Sequence, residues 1–153
     1  MKNRVLVIDD DAAVRQAMKR VLESAGYEVS VAQDGAEATA RFQPEQTDLL
    51  LLDLNLLTRS GWDVFELLTT RYPLVPVIVI TGMPNQYSTA VAAGVSALME
   101  KPIDATALLQ TVGAVLDESK ETRLRRMCGD QSDTRFVPSP TPRYRSHPHH
   151  RPP

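Results

Sequence analysis

Along the first 118 residues, runs with a period near two alternate with runs near the helical period. "RVLVID" (4–9) is a short β-rich run, and its Asp9 is followed by Asp10 and Asp11. From Asp11 to Ala25 the apolar positions are Val14, Ala17, Met18, Val21, Leu22 and Ala25, one helical stripe closed by Gly26. "YEVSVA" (27–32) alternates as a half-buried strand, and "DGAEATARF" (34–42) predicts a short helix that Pro44 prevents from extending. Leu49 to Leu52 read as a strand buried on both faces, followed by a helix from about Trp62 to Tyr72 before Pro73. "VPVIVIT" (75–81) is a further buried run, residues 85–93 are helical up to Gly94, and "SALME" (96–100) is a short strand. Asp104 opens a last helix through Leu108, Val112, Val115 and Leu116. Five such strand–helix units predict an α/β fold: a doubly wound, five-stranded parallel sheet with right-handed crossovers and helices on both faces.

In sheets of this kind, ligands bind at the carboxyl ends of the strands. Those ends carry Asp9 and Asp10, then Asp53, Thr81 and Lys101. Asp53 is conspicuous, because seven of the nine residues from Leu49 to Leu57 are leucine. A lone buried charge costs several kcal/mol unless it is paired, coordinated or back at a solvent edge. Three carboxylates at one mouth call for a cation, and few protein oxygens with room for water and phosphate suit Mg²⁺. Other chemistries lack their parts. There is no Gly-rich phosphate loop or EF-hand spacing, and no histidine before residue 147 to activate a serine or cysteine. A carboxylate nucleophile beside a metal, with Thr81 and Lys101 as phosphoryl ligands, is what remains.

Charge divides the chain. Residues 1–118 carry 9 Lys/Arg against 16 Asp/Glu, whereas residues 119–153 carry 8 against 3. The second stretch also holds 6 of the 11 prolines and all three histidines. This predicts an acidic domain over 1–118 and a basic Pro/His-rich tail over 119–153. The tail is expected to extend the last helix through "KETRLRRMC" and then to be disordered, and to be dispensable for folding from about residue 121. It shows no helix-turn-helix pattern, so direct nucleic-acid binding is not expected. No apolar stretch approaches a bilayer span, and the acidic turn after Ile8 is unlike a signal peptide. With the single Cys128, these features lead us to expect a cytoplasmic protein without membrane attachment.

Four motifs, "VLVIDDD" (5–11), "LLLLDLN" (49–55), "VIVITG" (77–82) and "EKP" (100–102), occur in an order and spacing that resemble the receiver domain of two-component response regulators. The resemblance covers roughly residues 3–118. It implies a flavodoxin-like (βα)5 fold and a phosphorelay role, with Asp53 as phosphoacceptor for a sensor histidine kinase or phosphotransfer protein. It further implies Mg²⁺ held by Asp9, Asp10, Asp53 and the backbone carbonyl of Asn55, with Asp10 as the direct ligand of the acidic pair. Thr81 and Lys101 would contact the phosphoryl group, and Lys101-Pro102 is where the family places a cis peptide bond. Catalysis would be limited to self-phosphorylation and dephosphorylation. Output would be altered binding of an unknown downstream protein through the fourth helix, fifth strand and fifth helix, by a monomer or a phosphorylation-dependent dimer. Leu56 and Leu57 stand where the family usually has Met-Pro, and Leu98 stands where it often has an aromatic residue. Two alternatives are a phosphorylation-independent adaptor and a Mg²⁺-dependent aspartyl phosphohydrolase; Asn55, where such hydrolases carry a second acid, counts against the latter.

Overall fold

The wholly apolar runs occupy the middle of the sheet and the alternating run its edge, as burial on two faces or one requires. The computed structural model describes residues 2–57, 60–129 and 134–140. Its strands are β1 (Arg4–Ile8), β2 (Glu28–Ala32), β3 (Leu49–Asp53), β4 (Val77–Thr81), β5 (Ala97–Glu100) and β6 (Arg135–Val137). Its helices are α1 (Ala12–Ser24), α2 (Gly35–Arg41), α3 (Gly61–Arg71), α4 (Tyr87–Ala93), α5 (Ala105–Leu116) and α6 (Lys120–Met127). The sheet order is β2-β1-β3-β4-β5-β6, and every pairing is parallel. Every residue of β3 and β4 is buried, whereas β2, at the edge, alternates.

Successive side chains of a strand leave on opposite faces, so each leucine run feeds two cores. Leu6, Ile8, Leu50, Leu52, Val79 and Leu98 pack with Ala38, Val64, Leu68 and Ala90 from α2, α3 and α4. Val5, Val7, Leu49, Leu51, Ile80 and Met99 pack with Met18 and Leu22 of α1 and with Leu108, Val112 and Val115 of α5. Each fully buried aliphatic side chain is worth about 1.5–3 kcal/mol, which is why one strand end can carry charge without unravelling the sheet. Helix starts fall where short polar side chains can cap them. Asp11, Asp34, Ser60, Asp104 and Ser119 each accept a backbone N–H of the following turn.

The structure departs from the sequence expectation at the C-terminal side. The sheet has six strands, not five, because Arg135–Val137 adds to the outer edge of β5. The stretch after residue 118 is not a continuation of α5 either. Ser119 has an extended backbone and caps a separate helix, α6. That helix is fastened by Arg126, whose side chain is 2% exposed and forks onto Glu118, itself 6% exposed, at 2.9 and 3.0 Å. Gly94 ends α4 with φ 76°, and a Cβ there would lie 3.5 Å from the Arg126 carbonyl, so α6 lies close against the end of α4. A basic side chain in this stretch can be buried because a bidentate Arg–Glu pair with a third partner satisfies its charge where scattered charges could not be satisfied. The Pro/His-rich stretch from residue 141 onward lies outside the described residues.

Candidate functional site at the strand ends

Asp53 is the last residue of β3, and Asp9 directly follows β1, the neighbouring strand. The pairing Ile8↔Leu52 therefore brings both carboxylates to the same mouth. Asp9 is completely buried and Asp53 is 2% exposed, while Asp10 is partly exposed. Carboxylate oxygens of Asp9, Asp10 and Asp53 all lie within 4.8 Å of one another. Lys101, one residue beyond β5, places Nζ 2.9 Å from Asp53 Oδ2 and 3.7 Å from Asp9 Oδ2. Its preceding backbone register is fixed by Thr81↔Glu100, and its own N–H donates to the Thr81 carbonyl at 2.8 Å. The Lys101-Pro102 bond is cis.

Backbone amides complete the cradle. The Asn55 N–H donates to Asp53 Oδ1 at 3.0 Å, the Leu57 N–H to Asp10 Oδ2 at 3.0 Å, and the Asp11 N–H to Asp9 Oδ1 at 2.9 Å. The loop after β3 thus grips two of the acids it borders. Gly61 is what lets that loop close. Its N–H donates to the Leu54 carbonyl at 3.0 Å, and a Cβ there would lie 2.6 Å from the Asp53 carbonyl and closer still to Leu54 Cα. Gly61→Ala is therefore expected to destabilise the fold by about 1–3 kcal/mol through backbone displacement. Thermal unfolding checks this; an unchanged midpoint would mean that the loop shifts freely.

Burial raises the Asp9 pKa from 3.8 to about 6; the Asp11 amide opposes this, and the nearby Asp53 carboxylate adds to it. The geometry agrees: Asp9 Oδ2 is buried and accepts no hydrogen bond among the described residues. Two charged carboxylates facing one another have no proton between them, and a shared proton relieves both. Lys101 is pulled the other way. Burial by itself lowers its pKa, but the Asp53 hydrogen bond and the fields of Asp53, Asp9 and Asp10 outweigh it and leave the pKa raised. A small divalent cation fits this site: three converging carboxylates, one ending in a buried oxygen that accepts no hydrogen bond among the described residues, exceed what a single ammonium offsets.

Every site residue expected from the sequence stands at this end of the sheet. Thr81 is buried and its Oγ1 accepts the Met83 N–H at 2.9 Å, leaving its own hydrogen free to donate. The Asn55 side chain lies beside Gly82. Sequence reasoning missed Arg15, whose Nη1 donates to the Asp9 carbonyl at 2.8 Å from the first turns of α1. The signal was present: position 15 is one helical turn after the Asp11 cap.

The family model described as the response regulator receiver domain matches residues 5–113, which spans the whole strand-end constellation. The chain belongs to that family. It is a receiver domain of the two-component type. Among similar proteins, the response regulator MprA of Mycobacterium bovis is 34% identical over 123 residues, 78% of this chain and 53% of that protein. The receiver therefore spans about half the length of the curated relatives it matches. A CheY-like receiver domain from Methanospirillum hungatei superposes with a TM-score of 0.72 at 31% identity, covering 79% of this chain and 98% of the other. The chemotaxis protein CheY4 of Vibrio cholerae gives 0.70 at 29% identity, covering 75% and 99%. No helix among the described residues is long and apolar enough to cross a membrane.

Proposed function

We propose that this receiver accepts a phosphoryl group on Asp53 from the phosphohistidine of a sensor kinase or phosphotransfer protein, and that the product binds a downstream protein differently. The observation that carries this reading is the position of Asp53. It ends a fully buried strand, held by Lys101 and the Asn55 amide, with Asp9 and Asp10 within 4.8 Å. In the transfer, an Asp53 carboxylate oxygen forms a bond to phosphorus while the phosphorus–nitrogen bond to the donor imidazole breaks, its electron pair staying on the nitrogen. Asp9, Asp10, Asp53 and the Asn55 carbonyl would hold Mg²⁺, which supplies charge neutralisation between nucleophile and donor. Thr81 donates its free hydroxyl hydrogen to a phosphoryl oxygen, and Lys101 passes from Asp53 to the added phosphoryl charge. The chemistry stops at the acyl phosphate and its hydrolysis, with no turnover of external phosphoesters.

Incubation with a small acyl phosphate and Mg²⁺ is expected to add one phosphoryl group, read as a mass shift. Asp53→Asn should abolish it, Asp10→Asn should weaken it together with Mg²⁺ affinity, and chelation should stop the wild type. Asp11→Asn, which keeps the cap acceptor, should leave it unchanged. Incorporation that survives in Asp53→Asn would move the acceptor elsewhere.

A further inference from the structure

A strand at the edge of a sheet presents unpaired amides and carbonyls, which are a template for another extended segment. In this receiver the outer edge of β5 is filled by the chain's own residues, in the register Ala97↔Arg135, Leu98↔Phe136 and Met99↔Val137. The segment is recognised side chain by side chain. Thr134 Oγ1 donates to the Val95 carbonyl at 3.0 Å and the Arg135 N–H to the Ser96 carbonyl at 3.1 Å. The Phe136 ring meets Tyr87, the first residue of α4, edge-on with centroids 5.3 Å apart. Arg135 Nε stands 3.5 Å from Glu118.

The hold is light compared with what precedes it. β6 is three residues long, its Phe136 is still 46% exposed, and Arg135 is half exposed where it meets the buried Glu118. The entropy lost on ordering such a segment is comparable to what one half-buried ring, the partly buried Val137, the Thr134 hydroxyl and a short ladder return. α6, by contrast, is fixed by the buried Arg126–Glu118 pair, with Arg126 also donating to Ser96 Oγ at 3.2 Å. A weak ligand on a firm anchor stays bound through high local concentration rather than intrinsic affinity. We propose that the edge of β5, flanked by Tyr87 and Glu118, is a docking site for an extended segment of hydroxyl–cation–aromatic–aliphatic pattern, and that Thr134–Val137 is its exchangeable ligand in cis. This docking does not depend on whether Asp53 accepts phosphate.

The test opens the edge in the full chain with Phe136→Asp and, separately, with Arg135→Glu, which sets like charge against Glu118. In both, amides of β5 should exchange with deuterium roughly tenfold faster than in the wild type, while those of β3 keep their protection and show that the domain is folded. A synthetic peptide of residues 134–140, added at millimolar concentration, should restore β5 protection in both variants and leave the wild type unchanged. The same peptide with Asp in place of Phe should do nothing. Unchanged β5 exchange in both variants, or an opened edge that ignores the peptide, would overturn the proposal. Wild-type protection that appears only as the chain dimerises with concentration would overturn the assignment in cis.

Discussion

Arg126→Ala is expected to lower the unfolding free energy of the full chain by about 3–5 kcal/mol, the usual cost of leaving a buried partner charge uncompensated. The side chain it removes lies between Glu118 and Ser96, and both charged groups of the pair are almost wholly out of water. After the substitution the Glu118 carboxylate keeps, among the described residues, the ion pair with the half-exposed Arg135 at 3.5 Å. The double replacement Arg126→Met with Glu118→Leu should cost much less, because neither charge then needs a partner. Denaturant unfolding of the wild type, Arg126→Met, Glu118→Leu and the double variant measures the coupling directly. A loss under about 1 kcal/mol for Arg126→Ala would show that the pair behaves as a screened surface bridge.

Asp9→Asn should act in the opposite direction and stabilise the metal-free chain at pH 7 by up to about 3 kcal/mol. The carboxyl titrates near 3.8 when unfolded and near 6 when folded, because burial disfavours its charge. Between those values the folded state holds the extra proton, so wild-type stability falls as pH rises from about 4 to 6 and stays lowered above that. The Asn variant lacks this fall, since its amide oxygen can still accept the Asp11 N–H. The difference between the two unfolding curves across that window isolates Asp9 from the other carboxylates. Millimolar Mg²⁺ should raise the wild type at pH 7 and raise the variant much less. Parallel curves for the two proteins from pH 4 to 7 would show that burial does not penalise this charge.

What could be read from the sequence follows from which interactions are local or periodic. The leucine run, the alternating edge strand and the capping acids each announce themselves within a few residues, and five parallel strands then bring Asp9, Asp53, Thr81 and Lys101 to one end. Asp10, Asn55 and the three-carboxylate cluster come with them. β6 was illegible for a different reason. "RFV" is three residues in a Pro-rich, basic context, and its pairing rests on contacts with Tyr87, Ser96 and Glu118 from three separate places in the chain. The separate α6 left a clue in Ser119, whose side chain caps Thr122. Nothing local marks Arg126 for burial, because its partners Glu118 and Ser96 are eight and thirty positions away. The burden that Asp9 bears was similarly hidden: Asp9 and Asp10 read alike in sequence, and only the register Ile8↔Leu52 makes Asp9 the buried one.

The loop after β3 lacks the proline that would stiffen it and is tied instead by two amides to two carboxylates, Asn55 to Asp53 and Leu57 to Asp10. Hydrogen bonds to a carboxylate weaken when its charge is neutralised or drawn elsewhere. The loop is therefore laced by the very charges on which the proposed phosphoryl transfer to Asp53 and the cation beside it would draw. Leu57 rides on one of those laces with its side chain 90% exposed. An environment-sensitive dye on Leu57→Cys, in a chain whose single native thiol Cys128 has been replaced by Ser, would turn this strand end into an optical gauge of how charge is distributed among its acids.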